Sequence, residues 1–272
     1  MSKVWFVTGA SKGFGRAFVL AALERGDKVA ATARNTDTLA DLVEEYGDAV
    51  LPLQLDVTNR DHVFAAVKSA HENFGQLDVV INNAGYGLFG TVEEITEQQL
   101  RDQLETNLFG VFHVTQAVLP ILREQGSGHI IQISTIGGVG AFPGLGGYHA
   151  SKWALEGLTE SLAQEVAGFG IKVTLVEPGG FDTDWNGASA TLADALPAYA
   201  PLHDAMAQTM AGAAQPKPVG FGSAILKVID AEKAPLRVFF GERPTQIAPH
   251  IYQQRLAEWA EWAPVSREAE GK

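Results

Sequence analysis

VWFVTGASKGFGRAF (residues 4–18) decides the fold. Val4–Thr8 is an apolar, β-branched run with strand character, and Phe14–Arg25 carries a helical period. Between them stand Gly9, Ser11, Lys12, Gly13 and Gly15. Glycine permits a tight turn and a close approach of the backbone. The helix start beyond it offers free N–H groups and the positive end of a dipole to a phosphate. A glycine-rich turn between a strand and a helix is a dinucleotide turn, although the G-x-x-x-G-x-G spacing differs from the commoner G-x-G-x-x-G.

The same alternation continues outward. Strands are expected at Lys28–Ala33, Val50–Leu55, Leu77–Asn82, His129–Thr135, Lys172–Glu177 and Leu236–Phe240. Helices are expected at Thr38–Glu45, Arg60–Phe74, Glu97–Arg123, Tyr148–Gly168 and Phe221–Ala231. Strands alternating with helices imply crossover units and a parallel sheet, and apolar strands such as VVI (79–81) fit a sheet covered on both faces. The expectation is an α/β fold: one Rossmann-like, doubly wound parallel sheet of about seven strands with helices on both faces. Residues 1–272 then form a single domain. Within it, 187–218, rich in Ala and Pro, is a candidate substrate lid, and 242–272 a helical tail.

Composition narrows the function. The net charge of −12 argues against a nucleic-acid or anionic-membrane surface. The absence of cysteine excludes disulfides and thiolate chemistry and fits a reducing compartment. MSKVWFVTGA leaves no room for a signal peptide, and no apolar run reaches the roughly 20 residues that span a bilayer. A cytoplasmic location is expected. The seven histidines form no HExxH or close helical pair, so no metal is expected.

Cofactor choice turns on the end of the second strand, where an NAD site needs a carboxylate for the ribose 2′-OH. In VAATARN (29–35), Ala33 occupies that position and Arg34 follows. A guanidinium suits a 2′-phosphate, and Lys12 adds a second cation. Taken singly, each could be an ordinary solvated charge; the two cations and the missing acid converge on NADP(H). Asp37 is an alternative ribose acceptor, but in NTDTL it reads better as the cap of the next helix.

TGASKGFG (8–15), LDVT (55–58), NNAG (82–85), Asn107 in ETNLFG, YHASK (148–152) and EPGGFDT (177–183) occur in order along the chain. On these motifs residues 3–240 resemble the classical short-chain dehydrogenase/reductase family, NADP type. The surroundings of YHASKWALEG look most like its hydroxysteroid-dehydrogenase-like branch. The resemblance implies that Asp56 and Val57 line the adenine pocket and that Asn83, Ala84 and Gly85 pass along the ribose. It also implies that Pro178, Gly179, Phe181 and Thr183 flank the nicotinamide, while Phe14 belongs to the glycine loop. The plainer alternatives are a strand-end cap at LDVT and a turn at NNAG.

Tyr148 and Lys152 lie at i and i+4, hence on one helix face. A nearby ammonium lowers a phenol's pKa from about 10, so Tyr148 can serve as acid in reduction and base in oxidation. By resemblance Asn107 holds a water in a proton relay from Lys152; the alternative is a polar residue kinking a long helix. Neighbours on a strand point to opposite faces, so only one of Ser134 and Thr135 can serve Tyr148. The family's partner hydroxyl, usually serine, precedes its tyrosine by thirteen residues, which selects Thr135. Threonine keeps the donor and adds a methyl. Ser134 and His149 are then structural.

Leu192, Leu196, Tyr199, Leu202, Met206 and Met210 recur at helical steps and are expected either to wall the pocket or to pack as a surface helix. Tyr86, Phe142 and Trp185 are further substrate candidates. The expected activity is NADPH-dependent interconversion of a hydrophobic, bulky carbonyl and its alcohol, by a carbonyl reductase or alcohol dehydrogenase. A redox-silent isomerase or dehydratase and an NADP(H) sensor are the alternatives. A homo-oligomer, dimer or tetramer, is expected from the resemblance, and Trp259 and Trp262 could pack on the body or on another subunit.

Overall fold

A computed structural model describes residues 2–183, 185, 187, 189–211 and 215–271, with the backbone alone for 210 and 211. The chain runs β1 (Val4–Val7), α1 (Gly13–Glu24), β2 (Lys28–Ala33), α2 (Ala40–Tyr46), β3 (Val50–Gln54), α3 (Arg60–Phe74) and β4 (Val79–Asn82). There follow β5 (Leu88–Phe89), α4 (Glu97–Leu104), α5 (Gly110–Gln125), β6 (Gly128–Ile133), α6 (Gly146–Val166) and β7 (Ile171–Pro178). Last come β8 (Thr191–Leu192), α7 (Ala200–Ala211), α8 (Phe221–Asp230), β9 (Arg237–Phe240) and α9 (Glu242–Ala269).

The main sheet has seven parallel strands in the order β3-β2-β1-β4-β6-β7-β9. Alternation along each strand divides the core. Trp5, Val7, Val29 and Ile81 pack with Phe18 of α1 and Phe221 and Ile225 of α8. Phe6, Ala30, Val80 and Ile130 pack with Val63 of α3 and Val114 and Val118 of α5 on the opposite face. The strand order reverses between β1 and β4, and a crevice opens there at the carboxyl ends of the strands.

Four local expectations change. The helix foreseen over Glu97–Arg123 is broken: a π turn at Glu105–Phe109 separates α4 from α5. Such turns re-space side chains and gather at functional sites. Asn35, not Asp37, caps the turn after β2, accepting from the Asp37 N–H at 3.0 Å. A second, two-stranded parallel sheet joins β5 to β8, with Leu88 opposite Thr191. In α9, Trp259 and Trp262 do not pack on the body; both face outward.

His129 is buried beside Thr174, its Nε2 2.9 Å from the Thr174 hydroxyl. Burial, helped by Lys172 and Lys3, pushes its imidazole down to about 4. Between about pH 4 and 6.5 the unfolded chain therefore binds more protons than the folded one. This stabilisation is present above pH 6.5, is lost as the pH falls, and is on the order of 3 kcal/mol. Denaturant midpoints should drop between pH 7 and pH 4.5, and His129→Gln should flatten that drop.

Candidate active site

The glycine loop is tied to two strand ends. Gly9 and Gly13 have φ of 66° and 58°, the left-handed region in which a side chain is strained. The Thr8 hydroxyl accepts from the N–H groups of Asn83 and Ala84 at 2.9 and 3.0 Å. The Asn83 carboxamide donates to the carbonyls of Thr8 and Gly9, each at 3.0 Å. Behind the loop, α1 begins with no side-chain cap and no acidic residue in its first turn. Its first N–H groups and dipole are thus left for an anion.

A cavity of about 790 Å³ runs from this loop to Tyr148. Gly9, Ser11, Lys12, Gly13, Phe14 and Arg34 line one end. Asp56, Val57, Asn83, Ala84 and Gly85 follow, and Thr135, Tyr148, Lys152, Pro178, Gly179, Phe181 and Thr183 line the other end with Tyr86, Phe142 and Trp185. The size, the uncapped helix, the left-handed glycines and the Arg34 and Lys12 cations fit a nicotinamide dinucleotide.

Tyr148 and Lys152 are buried in the first two turns of α6. Lys152 Nζ donates to the Ile133 carbonyl at 2.8 Å and lies 6.0 Å from the Tyr148 ring centre. Burial raises the phenol above its ordinary value, while a hydrogen bond with Thr135 opposes that. The expected lowering by Lys152 is therefore not what dominates here: the ammonium is directed at Ile133, and burial outweighs it. Burial likewise pushes Lys152 down to about 8, and the Glu156 carboxylate opposes that fall.

Thr135 continues the extended backbone past β6, with φ −170° and ψ 161°, and starts the turn Ile136–Gly138. Its hydroxyl accepts from the Gly137 N–H at 3.1 Å and can donate to the Pro178 carbonyl at 3.5 Å. Ser134 points the other way and is buried beside Glu156 under Gly138.

The short chain dehydrogenase family model matches residues 3–192. The chain belongs to the short-chain dehydrogenase family. This dehydrogenase is 44% identical over 270 residues to Oxidoreductase BOA17 of Botryotinia fuckeliana, with 98% of each chain covered. A short-chain dehydrogenase from Streptomyces avermitilis superposes with a TM-score of 0.92 at 42% identity, covering 98% of both chains. A Burkholderia cenocepacia short chain dehydrogenase in complex with NADP superposes at 0.77, with 28% identity and coverage of 96% and 97%. Another solved neighbour is complexed with NAD. The chain is thus an oxidoreductase of this family, and some of its solved neighbours are complexed with NADP or NAD.

Several expectations for the dehydrogenase's residues shift. Gly15 does not line the cavity: a Cβ there would stand 2.2 Å from the Gly9 carbonyl oxygen, so it serves close packing of α1 on the loop. Asn107 is fully buried and also lies off the cavity. Its carboxamide donates to the Tyr86 carbonyl at 3.2 Å and to Ser151 Oγ at 3.1 Å, and accepts from the Tyr86 N–H at 3.2 Å. Asp56 does not cap α3 but accepts from the backbone and hydroxyl of Thr58; Asn59 is the cap. Phe14 and Phe181 touch the cavity while their rings pack on Phe221.

Leu192, Leu196, Tyr199, Leu202 and Met206 do not line the cavity either. Pairing of β8 with β5 presents Ser189, Ala190 and Thr191 instead, and leaves Leu192 71% exposed. The Met210 side chain lies outside the described residues. His149, expected to be structural, lines the cavity, and its Nε2 accepts from the Phe142 N–H at 3.0 Å, holding the loop that carries Phe142. The Trp185 ring centre is 4.9 Å from that of Tyr148. Thr8 and Ser151 were not foreseen. Both sit inside quoted motifs, and Ser151 donates to the Tyr148 carbonyl at 2.7 Å.

Among the described residues, no group of three or more side chains could hold a metal, and no helix is long and apolar enough to cross a membrane.

Proposed function

We propose that this chain is an NADP(H)-dependent enzyme interconverting a carbonyl and an alcohol. The observation that carries the proposal is a buried Tyr148, sharing its end of the cavity with Thr135 and one turn from Lys152, far from the uncapped glycine-loop helix where the cavity begins.

The residues proposed to hold the dinucleotide are the glycine loop with Ser11 and Lys12 for the phosphates, and Arg34 for a ribose 2′-phosphate. Asp56 and Val57 serve the adenine, Asn83 to Gly85 the ribose, and Pro178, Gly179, Phe181 and Thr183 the nicotinamide. When bound, the cofactor supplies or accepts the hydride. Tyr148 gives its proton to the carbonyl oxygen; burial keeps the phenol protonated at neutral pH, as a reductase needs. Thr135 donates to the same oxygen and stabilises its developing charge. Lys152 holds positive charge beneath Tyr148, and Asn107, wedged in the π turn, serves a relay that returns the proton from solvent.

The substrate end is apolar: Tyr86, Phe142, Leu145 and Trp185 surround the approach to Tyr148. We assign it a bulky, hydrophobic carbonyl compound. Residues 187–218 form the lid in this scheme. Glu94 holds that segment, accepting from the Leu196 N–H at 2.9 Å and meeting His203 Nε2 at 2.7 Å. A homo-oligomer in the cytoplasm completes the proposal.

The test is a panel of bulky ketones and aldehydes with NADPH and with NADH. NADPH consumption should exceed NADH consumption at equal concentration. Arg34→Ala should raise KM for NADPH about tenfold or more, the size of a lost charge-assisted contact, and leave NADH little changed. A wild type that prefers NADH would refute the role given to Arg34.

A further inference from the structure

Along the Tyr148–Lys152 face, α6 carries a third member at the same spacing. Glu156 lies one turn beyond Lys152, and its side chain is only 9% exposed. Glu177, near the end of β7, is 1% exposed. Between them comes Arg237 of β9, whose Nε lies 3.2 Å from Glu156 Oε2 and 3.4 Å from Glu177 Oε1. The second Arg237 arm reaches Glu160 at 3.0 Å, on the solvent side. Lys152, Glu160, Arg237 and Glu177 are therefore the charged groups that face or adjoin Glu156, with the Ser134 hydroxyl closing the pocket under Gly138.

One guanidinium cannot satisfy two buried carboxylates. Both oxygens of Glu177 lack a hydrogen-bond partner as long as both groups are ionised, because neither carboxylate can then donate and the Ser134 hydroxyl lies beside Glu156. A proton on Glu177 resolves this, since its carboxyl can donate to ionised Glu156. Burial raises both groups, and repulsion from Glu156 adds to the rise of Glu177, to about 8.

We propose that Glu156 and Glu177, clamped by Arg237, form a carboxyl pair holding one proton, and that the charge left on Glu156 keeps Lys152 an ammonium. Glu156 is thus a positioning residue acting through Lys152, and Glu177 carries the proton that lets this charge stay buried. The assignment of Lys152 rests on the reductase proposal above; the one-proton pair does not.

Two measurements separate these parts. Thermal midpoints of wild type and Glu177→Gln, taken from pH 5 to pH 8, test the pair without any activity. Glu177 in the folded protein keeps its proton up to about pH 8, while the unfolded chain loses it near 4.5. Wild-type stability from this group is full below pH 4.5 and is lost as pH rises towards 8. Glutamine, always neutral, does not lose it, so the midpoint of the variant minus that of wild type should rise by several degrees across this range. A pH-independent difference overturns the pair.

The pH profile of kcat tests the link to Lys152. Glu156→Gln should move the alkaline limb of carbonyl reduction about one unit to lower pH with KM for the carbonyl little changed, because Lys152 then loses its proton earlier. Glu156→Asp, which keeps the charge, should restore the limb. Glu177→Gln, whose amide still donates to Glu156, should move it less than half as far. An unshifted limb in Glu156→Gln overturns the link. A wild type inert towards every carbonyl counts against the reductase proposal, and the thermal series still decides the pair, even where Glu156→Gln does not fold.

Discussion

Tyr148→Phe should lower kcat for carbonyl reduction by about 10³-fold, within the range for loss of a positioned general acid. The change removes one oxygen from a buried ring and leaves the contact with Trp185 in place. Fold and cofactor affinity should therefore survive. The phenol lines the cavity as the proposed proton donor; it is protonated at neutral pH, and burial reinforces this. Steady-state kinetics with NADPH and a reducible ketone check this. A loss confined to KM would mean that Tyr148 binds substrate without donating to it.

Thr135→Ala should cost on the order of a hundredfold in kcat, the size of one lost oxyanion donor. Ser134→Ala should cost only a few-fold, because Ser134 faces Glu156 rather than the cavity end of Tyr148. Thr135→Ser should restore most of the activity. The threonine hydroxyl also accepts from the Gly137 N–H, so some stability loss accompanies the alanine. Equal, small effects at 134 and 135 would remove the hydroxyl from the mechanism.

Much of this site could be read from the chain because its parts are local. β1, the glycine loop and α1 are contiguous, so the turn at Gly9 and the helix start that follows show directly in the order of residues. Strand alternation likewise separates Ser134 from Thr135, and the extended backbone at Thr135 preserves it. Contacts made across the fold were harder to see. The β5–β8 pair is two residues long and joins segments about a hundred apart, too short for any period to reveal. The π turn at Glu105–Phe109 depends on Asn107 meeting Tyr86 and Ser151, which only the packed fold brings together. The Glu156–Arg237–Glu177 cluster draws on a helix and two strands. The raised pKa of Tyr148 is hidden from the sequence for a related reason: the helical spacing to Lys152 is visible in the chain, but the depth of burial is not.

The most direct test of hydride transfer with proton donation is a turnover with NADPH carrying deuterium at the transferable nicotinamide position. With a bulky ketone, wild type should yield an alcohol with one deuterium on the former carbonyl carbon, and Tyr148→Phe should form the same product far more slowly. Conversion of substrate without deuterium in the product, or with NADPH unconsumed, would contradict the account.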